Sequence, residues 1–179
     1  MNNSPHEVKL VMGLLASNDE ALMGAKKIIA AEFGQIDHES QIIPFIFTHY
    51  YNEEMGENIL RQFVCFERFV PPQYLWKIKH RTIELENAEK IGAKRVMNLD
   101  PGYLTLYSLV LASTKEACYR VYIEKGIYGQ PMLQYKKGKF APFEFTYPDY
   151  SDERTLFFFN EVRQIYSRQI KSLSSAGGK

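Results

Sequence analysis

A chain of 179 residues, 45% of them hydrophobic and 24% charged, has the composition of a soluble globular protein and the length of one domain with a sizeable core. The formal net charge of +1 gives no overall field that would draw the chain to nucleic acid or to an anionic membrane. No apolar run approaches the ~20 residues that cross a bilayer, and residues 1–6 lack the features of a signal peptide, so a cytoplasmic protein is expected.

The chain opens with a strand followed by a helix. Val8 to Ala16 is a continuous apolar run, which is typical of a buried strand. Ser17 and Glu20 have the spacing of a capping box, and apolar residues then recur at helical intervals as far as Gly34, a residue that commonly ends helices. The pattern predicts a helix near residues 18–33.

The next segment predicts two strands and a second helix. Residues 41–51 and 58–70 are rich in aromatic and β-branched side chains, which favour strands. The pair Pro71–Pro72 marks the start of a helix, because proline is well tolerated in the first helical turn. This helix is predicted near residues 72–90, with Gly92 closing it.

Strand patterns dominate the second half of the chain. They cover residues 106–113, 117–124, 132–135 and 140–143, the last two flanking a glycine-containing hairpin turn at 136–139. A third helix is predicted near 153–171, and the small polar residues 172–179 predict a disordered tail. The expected fold is therefore a single α+β domain over residues 1–171, a largely antiparallel sheet with about three packed helices.

The cysteines and histidines give little sign of a metal site. Cys65 and Cys118 are far apart and have no histidine at ligand spacing, so both are expected to be buried, reduced and structural. His49 with Glu53 and Glu54 has the right chemistry for a metal or for acid–base catalysis, but the spacing favours neither role. We therefore predict no metal site.

Three polar and aromatic strings lie where apolar runs end, and loops at such places often carry binding groups. Asp100–Pro101–Gly102 has the composition of a type II turn. Ser113–Thr114–Lys115 lacks the glycines of a phosphate loop, which leaves an exposed turn or a hydroxyl–ammonium pair for an anion. Asp149 either caps the last helix or lines a site. The predicted ligand-binding residues are Arg95, Asn98, Asp100, Tyr103, Lys115, Arg120, Tyr147 and Asp149.

Two functions remain open at this point. The first is a site, catalytic or not, for an anionic small molecule such as a nucleotide or phosphorylated metabolite, supported by the cationic and carboxylate groups at element ends. The second is a non-catalytic module that interacts with protein or RNA, supported by the 14% aromatic content and the absence of a recognisable catalytic motif. A concave polar cavity would favour the first and a flat aromatic or basic face the second; the sequence names no cofactor, reaction or oligomeric state.

A set of strings spread over the chain has a family resemblance. They are Glu54–Met55–Gly56, Asn98–Leu99–Asp100–Pro101–Gly102–Tyr103, Leu111–Ala112–Ser113–Thr114–Lys115, Gly126–Ile127–Tyr128 and Thr146–Tyr147–Pro148–Asp149–Tyr150. Together they resemble a bacterial family known only as a domain of unknown function, over nearly the whole chain. The resemblance implies no particular activity. Its members tend to carry histidine in place of Tyr119 and glutamate in place of Gln130, so whether this chain retains any turnover is left open.

Overall fold

The computed structural model describes residues 6–176, and these form an antiparallel sheet with helices on both faces. In chain order the elements are β1 Val8–Ala16, α1 Asp19–Phe33, β2 Ile36–Glu39, β3 Ile43–Pro44, α2 Asn52–Met55, β4 Leu60–Val70, α3 Leu75–Ala88, β5 Met97–Leu104, β6 Ser108–Ser113, β7 Val121–Glu124, β8 Ile127–Lys136, β9 Lys139–Pro142, α4 Pro148–Ser151 and α5 Glu153–Ala176. The expected α+β class is confirmed, as are three main helices, α1, α3 and α5.

The sheet has the strand order β2-β4-β1-β5-β6-β8-β7, with every neighbouring pair antiparallel. β3 adds to β4 and β9 adds to β8. All nine residues of β1 are buried because helices cover both faces of this central strand. Even-numbered residues such as Leu10 and Met12 pack with α1, whereas Val11 packs with α5 on the opposite face.

The helix ends follow local chemistry, with some differences from the prediction. Asn18, rather than Ser17, caps α1, and its side-chain oxygen accepts a hydrogen bond from the backbone N–H of Ala21 at 2.9 Å. Gly34 ends this helix as predicted, with φ of 105°. Gly92 does not close α3, which ends four residues earlier at Ala88; it has φ of 63° in the following turn.

The last helix is longer than the sequence indicates. α5 continues through residues 172–176, which were expected to be disordered. Their serine hydroxyls donate to carbonyl oxygens one turn back, Ser172 to Gln169 at 2.8 Å and Ser174 to Ile170 at 3.0 Å, so these polar residues fit within the helix. The rest of the predicted tail, 177–179, lies outside the described residues.

The region from 36 to 51 departs most from the predicted strands. The run 41–51 contributes only the two-residue β3, because Phe45 turns inward to pack with Met55 and Ile59 in a loop cluster. A short edge strand, β2, was missed because its sequence Ile–Asp–His–Glu is mostly polar. Within residues 6–176 no helix has the length and apolar character required to cross a membrane.

Asp100–Pro101–Gly102 is not a turn. These residues lie in the middle of β5, where Asp100 pairs with Gly13, Pro101 with Met12 and Gly102 with Val11. The glycine serves a close approach between strands: a Cβ at Gly102 would lie 2.6 Å from the carbonyl oxygen of Val110. Its φ is not positive, so the type II turn prediction was wrong.

Candidate functional site

The candidate site is a cavity where the sheet separates between β5 and β6. β5 pairs with β6 at Gly102, Tyr103 and Leu104, while its first half, residues 97–101, has β1 on one side and α3 on the other. The separation arises because α3 occupies the place that a continuing β6 would take.

Two charged side chains of α3 replace the missing strand. Glu86 Oε1 accepts a hydrogen bond from the backbone N–H of Leu99 at 2.8 Å, and Lys79 Nζ donates to the carbonyl oxygen of Leu99 at 3.0 Å. The backbone N–H and carbonyl of Leu99 are thereby satisfied on the side where β6 is missing. Both side chains are buried, with 8% of Lys79 and 5% of Glu86 exposed. Burial raises the pKa of the Glu86 carboxyl, an effect partly offset by Lys79.

The cavity beside this gap has a volume of about 880 Å³. It opens on the sheet face that also carries α5, and its walls come from β4, β5, β6, β8, α3, α4 and the segment 45–54. Pockets of about 300–1,000 Å³ hold most small-molecule ligands and cofactors, so the size suits a ligand as large as a nucleotide.

Most of the predicted site residues meet at this cavity. Seven of the eight line it: Arg95, Asn98, Asp100, Lys115, Arg120, Tyr147 and Asp149. Tyr103 does not. It lies at an odd-numbered position of β5, so its side chain is on the other face of the sheet, where it packs near Leu75 and Ile127.

Arg61 of β4 lies at the floor of the cavity and is only 1% exposed. Its Nη2 is 2.7 Å from Asp149 Oδ2, and its Nη1 is 3.4 Å from Asp100 Oδ2. The guanidinium also lies 4.4 Å from the ring centre of Phe63, a cation–π contact. Burial lowers the pKa of Arg61, but the facing carboxylates outweigh it and raise that pKa, so the buried arginine stays charged. The pKa of Asp149 is raised by burial and held down in part by Arg61.

A glycine makes room for this buried pair. A Cβ on Gly13 would lie 2.7 Å from the hydroxyl of Tyr150 and 3.0 Å from both Nη atoms of Arg61. These distances are shorter than normal contacts, so β1 needs a residue without a side chain at the point where the guanidinium crosses it.

The polar contacts continue along β5 to the cavity mouth. Asn98 Nδ2 donates to Asp100 Oδ2 at 2.9 Å, and Asn98 Oδ1 accepts from Arg95 Nη1 at 3.1 Å. Arg95 also pairs with Glu86 at 3.3 Å and, through its Nε, with Glu54 of α2. We call this set, with Arg61, Lys79 and Asp149, the β5 network. Its ion pairs join three cations to four carboxylates.

A second group, the β8 network, lies at the other end of the cavity. Arg120 donates from Nε to Gln130 Oε1 at 2.8 Å and from Nη2 to the Tyr147 hydroxyl at 2.6 Å. Its Nη1 donates to the carbonyl oxygen of Lys115 at 2.7 Å. The Tyr147 hydroxyl in turn donates to Gln130 Oε1 at 3.2 Å. Burial raises the pKa of Tyr147, so it is a neutral donor at physiological pH.

The two networks differ in charge. Within residues 6–176, neither Lys115 nor Arg120 has a carboxylate partner. Lys115 Nζ instead donates to the hydroxyl of Tyr50 at 3.0 Å. The β8 network is therefore cationic, while the β5 network holds carboxylates that its own cations largely neutralise.

Sequence reasoning missed the role of α3. None of its residues is among the predicted site residues, yet Lys79 and Glu86 are buried and point inward. The available signal was spacing: these two residues share a stripe with Leu75 and Thr82, at the intervals of four and three residues that mark one face of a helix.

The metal hypothesis for residues 49–54 receives no support. His49 Nδ1 lies 3.1 Å from Asn52 Nδ2, and Glu54 is paired with Arg95. No group of three or more His, Cys, Asp or Glu suited to a metal ion occurs in the described part of the chain. Cys118, which was expected to be buried, is exposed, whereas Cys65 is buried as expected.

Comparison with known families assigns the chain to a family but gives no activity for it. Residues 6–166 match the family described as "Domain of unknown function (DUF4416)". The chain belongs to this family. No curated protein and no solved structure matches the chain. Because the match spans the whole sheet and most of α5, every residue of both networks lies within the family domain.

Proposed function

We propose that this DUF4416 protein binds an anionic small molecule, such as a nucleotide or a phosphorylated metabolite, in the cavity between β5 and β6. The observation that carries the proposal is the pair of cations, Lys115 and Arg120, which line a concave cavity without a carboxylate partner among residues 6–176. A cation at such a place is available to an anionic ligand, and arginine suits phosphate oxygens especially well.

The shape of the region supports a small molecule over a macromolecule. The candidate residues surround a cavity, and exposed aromatic side chains outside it, such as Tyr107, Tyr122 and Phe157, lie apart in the β5–β6 turn, β7 and α5. A protein- or RNA-binding module, the alternative function, would be expected to gather such side chains on one face.

The setting proposed for this activity is the cytoplasm of a bacterium. Cys65 and Cys118 are both free, as is usual where thiols are kept reduced. We propose binding without turnover, because neither network contains a nucleophile paired with a base.

The test is a ligand screen by thermal shift and isothermal titration calorimetry. Inorganic phosphate, pyrophosphate, mononucleotides and sugar phosphates would be titrated into the wild type, Lys115→Ala and Arg120→Met. Lys171→Ala and Arg168→Met serve as matched controls, since both residues are exposed on α5. A ligand at a hundredfold excess over its Kd stabilises the protein by about 2.7 kcal/mol.

The expected result is that at least one phosphorylated compound binds the wild type and both control variants. Loss of a charged hydrogen bond of about 1.5–3 kcal/mol should weaken binding to Lys115→Ala and Arg120→Met by roughly tenfold to hundredfold. If no anion binds, or if the site variants bind as tightly as the controls, the proposal fails. Saturable binding of a single-stranded RNA oligonucleotide alone would support the alternative.

A further inference from the structure

Two hydrogen-bonding groups of residues that line the cavity have no partner in the described part of the chain, and they indicate which kind of ligand would fit. The first is the amide nitrogen of Gln130, a residue only 1% exposed. Gln130 Oε1 accepts from Arg120 and Tyr147, and these two donors determine which way the amide is oriented. Its Nε2 then has no hydrogen-bond partner in the described structure. A buried donor on a side chain that contacts the Arg120 guanidinium is suited to an acceptor-rich anion.

The second group is the Oδ1 oxygen of Asp100. Hydrogen bonds from Asn98 and Arg61 both reach Oδ2, whereas no donor in residues 6–176 lies within hydrogen-bonding distance of Oδ1. The nearest cation to it is Lys79 Nζ at 3.8 Å. The Asp100 side chain is 26% exposed and lines the cavity, so a ligand can reach it.

The charges around Asp100 favour a neutral donor over a cationic donor from the ligand. Arg61 and Lys79 already face this carboxylate, and Asp149 is paired with Arg61. A third cation, brought by the ligand, would therefore be repelled by these two, whereas a neutral hydroxyl would meet no such repulsion. Asp100 Oδ1 is thus better suited to accept from a neutral hydroxyl than to pair with a further cation.

The short helix α4 connects the β8 network to the β5 network. Tyr147, just before α4, belongs to the β8 network, and Asp149 within α4 belongs to the β5 network. The cavity consequently has a cationic end at Lys115 and Arg120 and, along the same wall, an end with a carboxylate oxygen at Asp100 that is free within residues 6–176.

Building on the proposed function, we propose that the ligand contains a sugar phosphate, either free or as the ribose phosphate of a nucleotide. Its phosphoryl group binds to Lys115, Arg120 and the Nε2 of Gln130. Its sugar hydroxyls donate to Asp100 Oδ1. Gln130 and Asp100 then determine specificity, the first for a phosphoryl group and the second for a hydroxylated body.

The first experiment varies the ligand and leaves the protein unchanged. Calorimetry on the wild type would compare ribose 5-phosphate with methyl phosphate, which lacks the hydroxyls, and with ribose, which lacks the phosphoryl group. We expect ribose 5-phosphate to bind at least tenfold tighter than methyl phosphate, and ribose not to bind measurably. Adenosine 5′-monophosphate distinguishes the two sources, since tighter binding than ribose 5-phosphate identifies a nucleotide and weaker binding a free sugar phosphate.

The second experiment tests Gln130. Gln130→Met removes the free donor, and Gln130→Glu removes it while keeping acceptors for Arg120 and Tyr147. Gln134→Met is the matched control on the same strand, outside the cavity lining. We expect both Gln130 variants, checked for folding by thermal denaturation, to bind methyl phosphate and ribose 5-phosphate at least fivefold more weakly, and Gln134→Met to bind as the wild type.

The outcomes separate this inference from the proposed function. If methyl phosphate binds as tightly as ribose 5-phosphate, the hydroxyl-binding role of Asp100 is overturned while anion binding stands. If a folded Gln130→Glu protein binds phosphorylated ligands as the wild type does, the role of Gln130 is overturned. Failure of every phosphorylated compound to bind the wild type would overturn both proposals together.

Discussion

The close approach of β5 and β6 at Gly102 predicts that alanine at this position destabilises the protein, whereas alanine at Gly24 stabilises it. Gly102→Ala places a Cβ 2.6 Å from the carbonyl oxygen of Val110 and 2.6 Å from Cδ2 of Leu111. Ordinary contacts begin near 3.4 Å, so the overlap is severe, and the Val110 oxygen belongs to backbone that the sheet holds in place. Gly24, within α1, has nothing within 4 Å of an added Cβ and serves as the control.

The expected magnitudes follow from these distances. Overpacking in a filled interior costs about 1–3 kcal/mol, and a clash with backbone favours the upper end, so Gly102→Ala should lose about 3 kcal/mol. Gly24→Ala should gain about 0.5–1 kcal/mol, because alanine loses less backbone entropy in a helix. For a protein of this size, about 3 kcal/mol corresponds to a fall in Tm of roughly 6–12 °C.

Urea denaturation followed by circular dichroism, with Tm from calorimetry, measures both variants. A Gly102→Ala protein within about 0.5 kcal/mol of the wild type would refute the close approach of β5 and β6, and with it the position of the strand pair that borders the cavity. A destabilised Gly24→Ala protein would show that the distance argument fails at an open position.

Three further predictions concern charges and thiols. Arg61→Met should lower the free energy of unfolding by about 3 kcal/mol at pH 7, because it leaves buried carboxylates unpaired. The loss should be smaller at pH 5, because burial raises the pKa of Asp149 and lets it take up a proton. Equal losses at both pH values in urea denaturation would contradict this. Burial raises the pKa of Glu86 above its usual 4.5, so its contribution to stability is fully present below pH 4.5 and is lost as pH rises through the folded value. The free energy of unfolding of Glu86→Gln should therefore fall less with rising pH than that of the wild type, and an unchanged slope would count against it. Native thiol titration should show fast reaction of the exposed Cys118 and slow reaction of Cys65, whose pKa is raised by burial and by Asp37; two fast thiols would be inconsistent with the fold.

Local patterns were sufficient for much of the fold. The apolar run of β1 and the helical stripe of α1 are continuous signals within about 25 residues, and both elements form where predicted. The hairpin between β8 and β9 was predicted from Gly138, and the structure places both Lys137 and Gly138 at positive φ, as a tight hairpin turn requires.

The failures involve contacts between residues distant in sequence. Gly102 has turn-like neighbours, but its role depends on Val110 and Leu111 across the sheet. Lys79 and Glu86 face inward and bind the backbone of Leu99, which has a strand partner on the β1 side but none on the β6 side of the described sheet. No local sequence pattern contains that fact. For the same reason the ends of apolar runs in the sequence pointed to seven residues that do line the cavity, yet could not show that Tyr103 lies on the other face of the sheet.

Anion binding in the cavity between β5 and β6 is tested most directly by a crystal structure of the protein with the phosphorylated compound that binds it most tightly. We expect phosphate density within hydrogen-bonding distance of Arg120 and Gln130, with the β5 network intact beneath it. Phosphate bound elsewhere on the molecule, with this cavity empty at a saturating concentration of the compound, would contradict it.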